Sequence, residues 1–61
     1  MPNLTAKELG FIEDHLSEEQ VLIKKYQAAA KTTNDTSIKA KYESIANRHQ
    51  QHYNCLLSHL S

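Results

Sequence analysis

Apolar residues recur every three or four positions along most of this chain, and that spacing limits what the chain can fold into. The two series that follow it are Leu9, Ile12, Leu16, Ile23, Tyr26 and Ala30, and then Ile38, Tyr42, Ile45, Leu56 and His59 or Leu60. Such spacing puts residues on one face of an α-helix. A polar stretch without periodicity, residues 31–37, separates the two series. The sequence therefore predicts two helices, and no segment has the alternation expected of a strand.

The first helix has a well-defined start. Thr5 and Glu8 have the spacing of a capping box, in which each side chain accepts a hydrogen bond from the other residue's backbone amide. The apolar spacing then continues without a proline, so we predict a helix from about Thr5 to Lys31. Acidic residues are concentrated in its first half and lysines in its second half, which is the order that a helix dipole favours.

The second helix is predicted from about Ser37 to Leu60. Three residues of the preceding link are suitable N-caps, namely Asn34, Asp35 and Thr36. A link as short as residues 32–36 joins neighbouring antiparallel helices. We therefore predict an all-α, antiparallel two-helix hairpin that forms a single domain over residues 1–61.

The apolar stripes are wider than one antiparallel partner can cover. Further apolar residues flank both series: Phe11, Leu22 and Ala29 in the first helix, and Ala46, Tyr53 and Leu57 in the second. We therefore predict that a second copy packs on the hairpin, giving a four-helix bundle as a homodimer or a higher homo-oligomer. The members of the two series from Leu9 to Tyr26 and from Ile38 to Leu56 should be buried between the helices. The residues expected at the dimer contact are Phe11, Leu22, Tyr53 and Leu57.

The chain has 61 residues and a single cysteine, Cys55. A domain of this size hides only about 60% of its unfolded surface and often needs a metal, disulfides or a partner chain. One cysteine cannot form a disulfide framework, and it fits a reducing compartment. The N-terminus has no basic region followed by an apolar run. We therefore expect a cytoplasmic protein that is stabilised by a metal or a partner.

Composition argues against several functional classes. Seven basic and seven acidic residues balance to a net charge of zero, and no basic patch is large enough for nucleic acid. The apolar runs are far shorter than a membrane span. The sequence contains no recognisable nucleophile–base set and no glycine-rich phosphate loop. We therefore expect no nucleic-acid or membrane partner, and we predict no catalytic residues.

Three polar residues occupy positions where the helical spacing requires apolar ones: Glu19, His49 and His52. If the chain folds back about Asn34, residues whose numbers sum to about 68 face one another. Glu19 then meets His49, with His52 one turn away. A carboxylate and two imidazoles in an apolar seam are costly unless they are satisfied. Together they offer one oxygen and two nitrogen ligands, a set that suits zinc, iron, manganese or copper.

Neighbouring residues have lesser predicted roles. His15 and Glu18 lie close to the carboxylate along the first helix, where either is able to join as a ligand or to orient one. On balance, His15 and His59 are expected at the surface or at its boundary. Tyr26 and Tyr42 are expected as core aromatics that face each other. The alternative to a metal site is a network in which the carboxylate and the imidazoles hydrogen-bond one another.

The site residues resemble a known family. Tyr26 follows Glu19 by seven positions, and His49-Gln-Gln-His52 stands where a Glu-x-x-His pair would, with two leucines after it. This arrangement resembles the ferritin-like carboxylate proteins, including rubrerythrin-like members, and the length is similar to short domains related to spore coat protein F of Firmicutes. The resemblance implies a ferritin-like four-helix bundle and a spore-associated role. His49 departs from the family, because it replaces the bridging Glu that holds two irons together.

These observations leave three functions open. The first is a small ferritin-like, spore-coat-F-like protein that self-associates, has a structural or interaction role and carries a Glu19/His49/His52 metal site. The second is a metal-dependent oxidoreductase or metal store, and the third is a purely structural bundle with a buried Glu/His network. The expected cofactor is a divalent transition metal (zinc, iron or manganese). An enzymatic role is the less favoured interpretation.

Overall fold

The chain forms two antiparallel α-helices joined by a short link. The computed structural model describes residues 4–60, in which α1 spans Ala6–Thr32 and α2 spans Thr36–Ser58. No strand occurs within that range. The Cα atoms extend over 47 × 14 × 10 Å, so the hairpin is a rod only two helices wide. The predicted all-α hairpin is confirmed, with helix limits within two residues of those expected. Residues 1–3 and 61 of the predicted domain lie outside the described residues.

Side-chain caps fix both helix starts. Thr5 Oγ1 accepts a hydrogen bond from the Glu8 amide, and Glu8 Oε1 accepts one from the Thr5 amide, both at 3.1 Å. The predicted capping box is therefore confirmed, and its hydrogen bonds, chiefly that from the Thr5 amide, hold the pKa of Glu8 below its usual 4.5. At α2 the cap is Asp35, whose carboxylate accepts from the amides of Ser37 and Ile38 at 2.9 and 3.0 Å.

The core is a narrow seam between the helices. Four apolar residues are buried, with exposed fractions from 4% to 8%: Ile12, Ile23, Ala30 and Ala46. Five other predicted seam residues are half-buried: Leu16, Tyr26, Tyr42, Ile45 and Leu56. No side chain among the described residues is less than 2% exposed. Two helices alone therefore leave most of their apolar atoms only partly shielded from water, and the hydrophobic stabilisation is correspondingly small.

Two residues predicted in the seam are exposed instead. Leu9 is 38% exposed and Ile38 is 42% exposed in the single chain. Leu9 faces the end of α2, which stops at Ser58, so little of the partner helix remains to cover it. Ile38 lies level with Ala30, whose short side chain covers less surface than a larger residue would. The prediction of burial was wrong at these two positions because the seam narrows at both ends of the rod.

The two long sides of the hairpin differ in polarity. One side, which we name the glutamine face, has an interhelical groove lined by Gln20, Ile23, Lys24, Gln27, Gln50 and Tyr53. Within it, Gln20 Nε2 donates to the Tyr53 hydroxyl at 3.3 Å. Phe11 is nine residues from Gln20, which is two and a half helical turns, so it projects from the opposite side of α1. There Phe11 and His59 line a mainly apolar pocket.

The four residues predicted at the dimer contact divide between these two sides. Phe11 and Leu22 are eleven residues apart, close to three full turns, and share one side of α1. Tyr53 instead reaches Gln20 on the glutamine face, and Leu57 lies one turn beyond it. One flat contact therefore does not contain all four residues. Helical spacing shows which residues lie at the edges of the seam. It does not show which edge of α1 is on the same side of the hairpin as a given edge of α2.

Candidate metal centre

The antiparallel register brings Glu19 of α1 level with His49 of α2. Glu19 Oε2 lies 2.6 Å from His49 Nδ1, which is a short hydrogen bond. Two turns along the seam, the rings of Tyr26 and Tyr42 are 6.0 Å apart. Both pairs have numbers that sum to 68, so the register predicted from the sequence is confirmed. The pair is partly sheltered from water, since the side chains of Glu19 and His49 are 14% and 21% exposed.

His52 forms the outer part of the cluster. Its Nδ1 lies 3.8 Å from Glu19 Oε1, and its side chain is 58% exposed. The i, i+3 spacing puts its ring on the same side of α2 as that of His49, edge-on at 5.8 Å between centroids. The cluster thus has a sheltered Glu19–His49 pair and a solvent-accessible third member.

The three side chains lie close enough together to hold a metal ion between them. One ligand atom from each residue lies within 4.8 Å of the other two. Zinc bonds of about 2.0–2.2 Å require ligand atoms on the order of 3.3 Å apart around one ion. Binding one ion would require side-chain rotations that close this difference, and His52 is the most exposed of the three side chains. The same geometry also serves without a metal, because the Glu19–His49 hydrogen bond already satisfies both groups.

Tyr26 supports the cluster from α1. Its ring lies parallel to that of His49, with an angle of 12° between the planes and 6.1 Å between the centroids. Its other neighbour is Tyr42, so it is a seam aromatic, as predicted. Tyr26 therefore borders the cluster at the His49 ring.

The other predicted neighbours lie outside the cluster. His15 packs its ring against Phe11, with centroids 4.2 Å apart, and it is half-buried. Glu18 is exposed. His59 Nδ1 lies 2.9 Å from the Cys55 carbonyl oxygen, which holds that exposed ring against its own helix end. The structure therefore brings together the three predicted ligands and does not add a fourth from these residues.

Two contacts near the site were not predicted from the sequence. The Gln20–Tyr53 hydrogen bond lies one residue from Glu19 along α1, and the Phe11–His15 ring pair lies one turn before it. An i, i+4 aromatic pair is detectable from spacing alone. The Gln20–Tyr53 bond is not, because its partners border the seam and their numbers depart from the sum of 68.

No helix within residues 4–60 is long and apolar enough to cross a membrane. No family model matches the chain, and comparisons with curated proteins and with solved structures find no match either. The resemblance to ferritin-like and spore coat F-type proteins therefore stays a prediction.

Proposed function

We propose that this protein is a small, self-associating helical hairpin that binds a divalent transition-metal ion through Glu19, His49 and His52. The supporting observation is the convergence of these three side chains from two helices, with ligand atoms within 4.8 Å of one another. A metal bound there links α1 to α2 at mid-height of the seam. Its role is structural, because the ion adds a cross-link where the hairpin has little apolar core.

The ligand set favours a single ion over a pair of irons. Glu19 is the only carboxylate in the cluster, whereas two irons held at short range need a bridging carboxylate between them. Two imidazole nitrogens and one carboxylate oxygen suit zinc, with one coordination position left for water or another ligand. Iron and manganese accept the same donors. Membership of a ferritin-like, spore-coat-F-type group is part of this proposal and rests on the Glu19–Tyr26 spacing and the His-x-x-His pair.

A metal-free polar network is the second candidate, and a specific observation favours it. The 2.6 Å hydrogen bond between Glu19 and His49 satisfies the two most sheltered polar groups of the seam without an ion. In that case the cluster fixes the register of the two helices. Polar residues at seam positions have this effect in some helical bundles, at a cost in stability.

Metal analysis and thermal unfolding separate the two candidates. The purified protein is assayed for bound metal, stripped with a chelator, and melted with and without added zinc or manganese. Ligand at 100 times its dissociation constant stabilises the folded state by about 2.7 kcal/mol, so the melting temperature should rise. The rise should shrink as the pH is lowered, because protons compete with the metal for imidazole nitrogen.

Two double variants complete the test. His49→Leu/His52→Leu removes two ligands and should abolish the effect of metal. His15→Leu/His59→Leu makes the same change in composition outside the cluster and should retain it. No metal in the purified protein, together with equal melting temperatures with and without chelator, would leave the polar network as the function of the cluster.

A further inference from the structure

One long side of the hairpin is apolar along its length. Opposite the glutamine face, residues from both helices form what we name the apolar face: Phe11, Leu22, Ala29, Ile38, Ile45 and Leu56. Phe11 is 61% exposed and Ile38 is 42% exposed. The other four residues are half-buried. The mainly apolar pocket that continues this surface toward the start of α1 is lined by Leu4, Lys7, Glu8, Phe11, Ile12 and His59. The apolar face thus carries exposed apolar side chains near both ends of the rod, Phe11 at one end and Ile38 at the other, which suits contact with a partner along its length.

The total surface area of the chain is larger than that of a compact protein of the same mass. The chain exposes 4765 Å², whereas a compact monomer of 7.0 kDa is expected to expose about 4,000 Å². The excess is on the order of 700 Å², close to the roughly 800 Å² that each partner contributes to a standard protein–protein interface. This excess reflects the rod shape of a lone hairpin, and a second hairpin packed along one side would remove an area of this order.

The metal cluster opens onto the same face. Ile38, Ile45, His52 and His59 are spaced by seven residues and so follow one stripe along α2. His59 shares a pocket with Phe11, so this stripe borders the apolar face. His52 is the exposed ligand of the cluster, with 58% of its side chain accessible. Any partner on the apolar face therefore covers the open side of the site, and it must satisfy the polar groups that it covers.

A second copy of the chain meets these requirements. A twofold axis parallel to the helices sets α1 beside α2 of the other copy, antiparallel and at equal heights. Glu18 then lies close to the height of Arg48 of the partner subunit. Both residues are exposed, and neither has an ion-pair partner among the described residues. The two metal clusters also come level with each other, so each covers the other with imidazoles rather than with apolar groups.

We propose, on the basis of the function proposed above, that a second copy docks on the apolar face and completes the metal site. The dimer then binds one ion, held by Glu19, His49 and His52 of the first copy, and His52 of the partner subunit supplies the fourth ligand, because a neutral imidazole has only one nitrogen free to coordinate. Metal binding and dimer formation are then coupled, and each strengthens the other by the same factor. In this proposal, dimer formation completes the metal centre, and metal binding strengthens the dimer.

Two exposed apolar residues of α1 provide a matched pair of variants. Phe11 is 61% exposed and Val21 is 66% exposed. Val21 lies two and a half turns from Ile12 and so projects away from the seam, on neither long side. Phe11→Lys places a charge within the proposed interface, whereas Val21→Lys places the same charge outside it. Both proteins are checked for helix content by far-ultraviolet circular dichroism.

The experiment measures the dimer dissociation constant by sedimentation equilibrium with zinc and with chelator, and zinc affinity by titration calorimetry. With zinc, wild type and Val21→Lys should form dimers with micromolar dissociation constants. Chelator should raise both dissociation constants by about tenfold or more, within the usual range for coupled sites. Phe11→Lys should be a monomer at the same concentration and bind zinc at least about tenfold more weakly. If Phe11→Lys loses its helix content, the milder Phe11→Ala takes its place.

The opposite results separate the two proposals. Equal dimerisation of the Phe11 and Val21 variants would show that the apolar face is not the interface. A monomeric Phe11 variant that binds zinc as tightly as wild type would overturn the completed site but leave metal binding by the single hairpin intact. Absence of zinc binding in every protein would overturn the proposed function itself, together with the coupling.

Discussion

The hydrogen bond between Glu19 and His49 can be measured directly in metal-free protein by a double-mutant cycle. The variants are Glu19→Leu, His49→Leu and the two combined, all in excess chelator. The bond joins Glu19 Oε2 to His49 Nδ1 at 2.6 Å. Hydrogen bonds with a charged partner contribute about 1.5–3 kcal/mol, and water still reaches 14% and 21% of the two side chains. Allowing for that solvent access, we expect a coupling of about 1–2 kcal/mol.

The order of stabilities follows from what each variant leaves behind. His49→Leu leaves the sheltered Glu19 carboxylate without its donor, and leaving such a group unsatisfied costs about 1–3 kcal/mol. Glu19→Leu leaves the His49 ring without its acceptor, and that ring, at 21% exposure, is the more accessible of the two groups to water, so the loss should be smaller. The combined variant leaves no orphan and adds two leucines to the seam, where full burial of a leucine contributes about 1.5–3 kcal/mol. We therefore expect the double variant to be at least as stable as wild type, as with other ion pairs replaced by apolar residues.

Urea unfolding followed by circular dichroism, at one fixed protein concentration, gives the four free energies of unfolding. A fixed concentration matters because dimerisation stabilises the folded state by mass action. A double variant that is less stable than both single variants, or a coupling within about 0.3 kcal/mol of zero, would refute the argument that the two groups act as a pair. With zinc present, only wild type should gain stability.

Two further predictions concern the seam and the cap of α1. Ile23→Ala should lower the free energy of unfolding by about 2–3 kcal/mol, since Ile23 is 8% exposed and loses three carbons worth about 0.8 kcal/mol each. The exposed control, Val21→Ala, should lower it by under about 0.5 kcal/mol. Equal losses in urea unfolding would place the seam elsewhere. The lowered pKa of Glu8 means that this carboxylate stabilises the fold above its usual 4.5 and loses that effect as the pH falls through the folded value. Unfolding at several pH values should therefore show a steeper acid loss for wild type than for Glu8→Gln, and parallel curves would contradict the capping argument.

The register of the hairpin was predictable because two independent signals agreed. Apolar spacing fixed the inward side of each helix, and the link was too short for anything but an antiparallel return. Those two properties of the sequence are enough to place Glu19 opposite His49, and the 2.6 Å contact confirms the placement. The cap of α1 was equally predictable, because Thr5 and Glu8 interact within one turn and need no tertiary information.

The burial of individual seam residues could not be predicted fully, because it depends on the finite length of the two helices and on the sizes of the facing side chains. Leu9 and Ile38 follow the seam spacing but lie where the opposite helix ends or carries only a short side chain, so both are exposed. Ala46, by contrast, flanks the apolar series in the sequence, yet it is 4% exposed. The register sets it level with Ile23, and a large residue over a small one closes the seam there. Periodicity identifies a side of a helix, whereas burial depends on what the other helix presents at that height.

The Glu19–His49–His52 cluster and the small apolar core both limit the stability of the isolated hairpin. Glu19 and His49 occupy central seam positions that leucines would otherwise fill, so the residues that create the site also weaken the isolated hairpin. The metal ion and the second copy proposed above would bind the folded state in preference to the unfolded chain, and each would add stability that grows with the logarithm of its concentration. An apolar seam would make the hairpin stable without either. With Glu19, His49 and His52 in place, the metal-free monomer should therefore be the least stable form of the protein, and the proposed metal and partner would each raise its melting temperature.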